Sequence, residues 1–195
     1  MARPIEFEYD KVLENAMQQF WKEGYEASSV QKLLDATGIN RGTLYNSFGD
    51  KDTFFKLCVD RYNDQVKSNI DATLANDSLR GSAAIESFFR TSINSAPAKQ
   101  RSMGCLLVNS VCESINWNKD LQKLIRNSLN TIRKAFLSRT RELEKSRKLK
   151  RGLKADDAAE VLMNLLQGMY VSARNGRSPK HLETLLNSGM ASILK

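Results

Sequence analysis

The stretch TGINRGTLYNSFGDK, Thr37 to Lys51, decides how the rest of the chain is read. Gly38 follows the apolar positions Val30, Leu33 and Leu34, and a glycine there takes the left-handed conformation that stops a helix. Asn40 is placed to cap the next helix, its side-chain oxygen accepting from a free backbone N–H two or three residues on. That helix is short, from Arg41 to about Phe48. Ile39, Leu44 and Phe48 turn inward at helical spacing, which leaves Arg41, Thr43, Tyr45, Asn46 and Ser47 outside. A face of guanidinium, hydroxyls and an amide suits base edges and phosphates. Gly42 lets the backbone approach closely. Asp50 and Lys51 open a further helix, with Lys51 at its positive end, where a phosphate could also sit. The pattern is a helix-turn-helix over about residues 29–48, and its second helix has the character of a recognition helix.

Upstream, Leu13, Ala16, Met17 and Phe20 give the stripe of a core-facing helix from about Asp10 to Glu23, with Asp10 as its cap and Gly24 as its end. Ser28 or Ser29 caps the second helix, and the backbone donors beyond that cap could hold a phosphate; capping alone is the competing reading. Met1 to Tyr9 is a polar arm. Arg3 on it could enter a minor groove, against the alternative of a disordered terminus.

Taken with the preceding FWKEGYEASSVQKLLDA, this region resembles the DNA-binding domain of the TetR/AcrR family of bacterial transcriptional regulators. The resemblance rests on Phe20 through Val30, Thr37 to Tyr45 and Phe48 to Lys51, about a quarter of the chain. One departure is Leu34, four residues before the turn glycine, where a small residue often lets the two helices approach. The resemblance implies an all-α fold of about nine helices: a three-helix DNA-binding domain over residues 1–52, then a larger helical effector-binding and dimerisation domain over 53–195.

Composition agrees with that class. Three prolines, at 4, 97 and 179, stand at helix boundaries, and no β-branched run alternates with polar residues. The longest purely apolar run is four residues, Cys105 to Val108, too short for a membrane span or a signal segment. A cytoplasmic protein with three free thiols is expected. The net charge of +8 does not mark the DNA-binding face, because residues 1–50 hold five basic against eight acidic residues. Arg139 to Lys154 holds eight basic and two acidic residues and reads as a solvated helix end and loop.

In the body, a long amphipathic helix from Lys51 to about Leu74 carries Phe54, Cys58, Tyr62 and Val66 on one face. The resemblance makes it the transmitting helix. A break at Asn76 to Gly81 precedes a helix from Ser82 to about Ser95. Ser102 then caps a helix from Met103 to about Trp117 containing GCLLVNSVCES. Similar runs occur in one branch of the family, and the resemblance places Cys105 where some relatives sense electrophiles or oxidants. A helix N-terminus and nearby Arg101 would favour its thiolate, whereas unpaired cysteine is more usually a small buried hydrophobe. Cys105 and Cys112 lie about 10 Å apart along one helix, too far for a disulfide. Phe88, Phe89, Met103, Cys105, Asn109 and Trp117 are the candidate lining of an effector pocket.

Asn118 caps a long helix that Gly152 closes. The last two helices, Asp156 to about Arg174 and Pro179 onward, carry Leu162, Leu165, Leu166, Met169, Leu182, Leu185, Leu186, Gly189 and Met190. These broad apolar faces suit a four-helix interface between two copies, or the chain's own core. The reading is a homodimeric regulator, more often a repressor, bound to a palindromic double-stranded operator and released by a small molecule or electrophile. Arg41, Thr43 and Asn46 are assigned to base edges; Tyr45, Lys51 and the Ser28–Ser29 turn to phosphates. Asn40 and Gly42 complete the DNA-facing set. No Ser/His/Asp set, metal cluster or phosphate-binding glycine loop points to an enzyme, and no cofactor is expected. The alternatives are an effector-independent architectural DNA-binding protein and, last, a thiol enzyme using Cys105.

Overall fold

The computed structural model describes residues 8–94 and 97–195. It contains nine helices of eight residues or more and one extra turn: α1 Tyr9–Glu23, α2 Val30–Thr37, α3 Arg41–Phe48, α4 Lys51–Ala72, α5 Ser82–Phe89, α6 Ala98–Arg101, α7 Leu106–Glu113, α8 Lys119–Lys145, α9 Ala155–Arg174 and α10 Pro179–Ile193. Among the described residues the single β pairing is an isolated antiparallel bridge between Leu149 and Leu194. The all-α expectation holds. Arg3 and most of the N-terminal arm, like Ser95, lie outside the described residues.

Helix ends follow the side chains that can satisfy free backbone donors. Ser29 accepts from Lys32 N at 3.3 Å, Asn40 from Thr43 N at 2.8 Å, and Asp50 from Thr53 N at 2.8 Å. Asn118 accepts from Leu121 N at 2.9 Å, and Ser178 from His181 N at 3.3 Å. Asp10 does not cap α1. The helix begins one residue earlier, at Tyr9, behind an N-cap Glu8 that makes no side-chain cap bond, and Asp10 pairs with Arg61 on α4 instead. The expected helix from Ser82 to about Ser95 ends early: α5 stops at Phe89 and continues as a π-helical turn, Arg90–Asn94. The expected helix from Met103 is also divided. Its N-cap is Cys105, its α-helical part ends at Glu113, and a 3₁₀ turn covers Ser114–Asn116.

An aromatic cluster joins the first three helices to the rest. Phe48 packs on Phe54 with ring centroids 4.5 Å apart, and Phe20 meets Phe55 edge-on at 5.0 Å. Tyr25 lies 4.8 Å from Trp117. Aromatic pairs at these separations add to the burial of their rings. The boundary expected after residue 52 falls in the first turn of α4, and the cluster runs across it.

In the body α8 packs most extensively on α9, and α9 on α10. Phe136 on α8 is fully buried between Phe88 and Phe89. Arg139 departs from the solvated reading of the basic stretch. Its side chain is buried, with Nε donating to Leu74 O at 2.5 Å, Nη2 to Asn76 O at 2.8 Å and Nη1 to Glu142 at 2.7 Å. It ties α8 to the loop after α4, whereas the later basic residues of the stretch, Arg141 to Lys154, are exposed.

Candidate nucleic-acid interface and effector cavity

Gly38 has φ +73° and stops α2, with its N–H donating to Leu34 O at 2.8 Å. The three-residue turn to Arg41 then sets α3 against the core through Leu44 and Phe48, both essentially fully buried. Burying those two side chains fixes which side of α3 meets solvent. Arg41, Gly42, Tyr45, Asn46 and Ser47 are exposed, while Thr43 and Ile39 are half-buried. A Cβ at Gly42 would meet only Asn40 Oδ1, at 3.3 Å. The outward face is polar and continuous.

Four of the assigned residues have other tasks. Ser28 is fully buried and its hydroxyl donates to Gly24 O at 2.6 Å, so its side chain cannot reach a phosphate. Ser29 is exposed but serves as the α2 cap. Asn40 spends its side-chain oxygen on Thr43 N. Lys51 is half-buried with Nζ 4.3 Å from the centroid of the Tyr25 ring, and burial holds its pKa below the usual lysine range. The Tyr25 hydroxyl donates to Asp52, which also accepts from Asn118 Nδ2 at 2.5 Å. Burial first, then the Asp52 carboxylate, pushes the Tyr25 hydroxyl above its ordinary range. Lys51 therefore belongs to the junction between the first helices and the body, where a cation over an aromatic face is favourable.

A cavity of about 260 Å³ opens between α1 and the helices of the body. Trp21 of α1, Tyr62 and Asn69 of α4, Phe88 of α5, Cys105 and Tyr170 of α9 all reach its wall. Of the six candidate pocket residues, only Phe88 and Cys105 belong to that wall. Phe89 stacks on Phe136, and Trp117 is buried against Tyr25 and Phe55. Met103 is half-buried against the core, and its carbonyl accepts from Asn109 Nδ2 at 2.8 Å. Trp21 and Tyr170 escaped sequence reasoning because each reads equally well as core on its own helix.

The structure favours the buried reading of Cys105. Cys105 is the N-cap rather than a first-turn residue, and only 2% of its surface is exposed. The Tyr62 hydroxyl donates to its Sγ at 3.3 Å, and the backbone N–H groups of Val108 and Leu107 also favour the thiolate. Burial outweighs them and pushes the thiol up. Cys58 is buried as well and pushed up by the same cause. Cys112 is exposed. A short pulse of a water-soluble maleimide on the native chain is therefore expected to label Cys112 first, with Cys58 and Cys105 following only on unfolding. Mass-spectrometric mapping of the labelled peptides checks this, and early modification of Cys105 would contradict the burial argument.

The same geometry recurs in known proteins. The family model for bacterial regulatory proteins, tetR family, matches residues 12–58. The transcriptional repressor ComR of Escherichia coli (strain K12) is 32% identical over 186 residues, 93% of this chain and 86% of that protein. The chain belongs to the TetR family. The regulator YezE of Bacillus subtilis (strain 168) is 30% identical over 138 residues, 70% of each protein. Among solved structures, TetR-family CifR bound to 26-bp operator DNA superposes with a TM-score of 0.86 at 21% identity, over 98% of this chain and 100% of that one. As a TetR-family member the chain is a DNA-binding transcriptional regulator, and the thiol-enzyme alternative falls away. No helix among the described residues is long and apolar enough to cross a membrane.

Proposed function

We propose that this TetR-family protein is a cytoplasmic homodimeric repressor that binds an approximate palindrome and leaves it when a small molecule fills the cavity of the body. The outward polar face of α3 carries the DNA half of that reading. Arg41, Tyr45, Asn46 and Ser47 project from a helix whose opposite side is anchored by Leu44 and Phe48. Such a helix presents hydrogen-bonding groups to a major groove without moving its backbone. The cavity, concave and lined largely by aromatic and apolar side chains, supports an effector over a purely architectural role. Cys105, buried and un-ionised in that wall, supports a non-covalent effector over an electrophile.

The interface between two copies is drawn from α9 and α10, but from fewer of the expected residues. Leu162, Leu166, Met169, Leu182, Leu186 and Met190 are buried within one chain, so they are core. Gly189 serves the chain itself, since a Cβ there would lie 2.3 Å from Leu165 Cδ2. Val161, Gly168 and Val171 remain exposed on α9 at helical spacing, with half-buried Leu165 between them and half-buried Leu185 on α10. That stripe is the face left for a second copy.

Asn46→Ala is expected to weaken operator binding by roughly 1–3 kcal/mol and to relax preference at one base position per half-site. Fluorescence anisotropy against a panel of single-base operator variants measures both. Uniform weakening across the panel would assign Asn46 to the backbone instead.

A further inference from the structure

We propose that the end of the body farthest from the first three helices holds a second, sequence-independent site for the phosphate backbone of a DNA duplex. Two long helices set the distance. At their near ends Asn118 Nδ2, from the cap of α8, donates to Asp52 in the first turn of α4 at 2.5 Å. At their far ends Arg139 Nη2 of α8 donates to the Asn76 carbonyl beyond α4 at 2.8 Å. The two helices therefore run side by side away from the DNA-binding helices. At 1.5 Å per residue, the 27 residues of α8 put its last turn about 40 Å from the near junction. That is several Debye lengths at ordinary salt, so the two ends meet phosphates independently.

Charge collects at the far end. Lys134, Arg141 and Lys145 are exposed on one face of α8, at i, i+7 and i+11. The row continues into the following loop with Arg147, Lys148, Lys150 and Arg151, all exposed, and reaches Lys154 at the cap of α9. Two carboxylates of this segment are already used: Glu142 pairs with Arg139, and Asp156 with Arg133. Between Lys134 and Asp157, Glu144 and Asp157 remain to oppose eight cations that make no ion pair among the described residues.

The loop holds these cations in place. Leu149 is buried and pairs across to Leu194, Lys150 N donates to the Ile193 carbonyl at 2.9 Å, and Lys195 N donates to the Lys148 carbonyl at 3.1 Å. Arg147, at φ +57°, stands in the left-handed position after α8, where glycine is the unstrained residue. Like charges are thus fixed close together without counter-charges, a cost that a polyanion removes.

The surroundings of the cations select the polyanion. The one ring between Lys134 and Asp157 is that of Phe136, which is fully buried, so the bases of a single strand find nothing to stack on. No large apolar side chain of the segment is fully exposed, which removes the anchor that a protein partner or an inserting amphipathic helix requires. What remains is a rigid row of positive charges, and a duplex offers a rigid row of phosphates. A regulator seated on one duplex would in this way bring a second to it, bridging two segments of DNA.

The test saturates the full-length protein with an unlabelled operator duplex selected from a random pool. A labelled duplex of unrelated sequence is then titrated, and its anisotropy followed. Binding is expected at about 50 mM salt, with a loss of about 10²-fold by about 200 mM, the dependence for roughly four phosphates. The variant Lys145→Gln, Lys148→Gln, Arg151→Gln is expected to lose at least tenfold in this affinity. Its operator affinity and helical circular dichroism are expected to stay unchanged, because all three side chains are exposed and far from α3. Asn46→Ala is expected to show the reverse pattern, weaker on the operator and unchanged on the second duplex, which separates a failure of the α3 assignment from a failure of this one. No binding of the second duplex, or full affinity in the triple variant, overturns the proposal. Single strands of equal length that bind as tightly, or phosphatidylserine vesicles that displace the duplex at equal phosphate, assign the patch to another polyanion and overturn it as well.

Discussion

The double variant Val161→Glu, Val171→Glu is expected to be monomeric and to lose roughly 10²–10⁴-fold in operator affinity. Both side chains are exposed on α9, at 38% and 55%, so a carboxylate at either position stays in water within one chain. In a dimer four such charges would be brought into an apolar seam, where unpaired charge is strongly disfavoured. The DNA loss follows from the proposed geometry, in which each recognition helix would hold one half-site and the second half-site would be bound at the effective concentration set by the first. Light scattering with anisotropy on the palindromic and single half-site duplexes checks both parts. The variant is expected to keep its helical circular dichroism and its affinity for one half-site. A dimer that survives both substitutions would move the interface elsewhere. Charging Leu186 is not an equivalent test: it is 1% exposed, so its substitution would report on folding.

Arg139→Ala is expected to destabilise the body by roughly 3–5 kcal/mol, the usual result of removing one partner from a buried charged network. Three things are lost together. The Leu74 and Asn76 carbonyls lose their guanidinium donors, Glu142 loses its counter-charge, and a void opens between α8 and the loop after α4. For a chain of 195 residues this corresponds to a fall in Tm of roughly 6–20 °C. Arg139→Lys keeps the charge but offers one point donor in place of a planar fork, and is expected to recover only part of the loss. Differential scanning calorimetry distinguishes the cases. A change under about 1 kcal/mol in Arg139→Ala, the level of an exposed ion pair, would mean that the network is solvated in solution.

The sequence by itself determined the helix-turn-helix and its outward face. Gly38, Asn40, Asp50 and the inward pair Leu44 and Phe48 act through backbone conformation, capping and a helical period, all local in the chain. The same local rules failed where one residue had two available readings. Asp10 could cap α1 or pair across to Arg61. Cys105 could gain from the helix dipole or be penalised by burial. Leu162 and Leu186 could face a second copy or the core. Only the tertiary structure decided these, because each outcome depends on a neighbour distant in sequence. Arg61 lies on α4, the Tyr62 hydroxyl and the packing around Cys105 come from other helices, and α8 covers α9. The cavity of the body belongs wholly to this second kind. Trp21, Asn69, Cys105 and Tyr170 share one wall although Trp21 and Tyr170 lie at opposite ends of the chain.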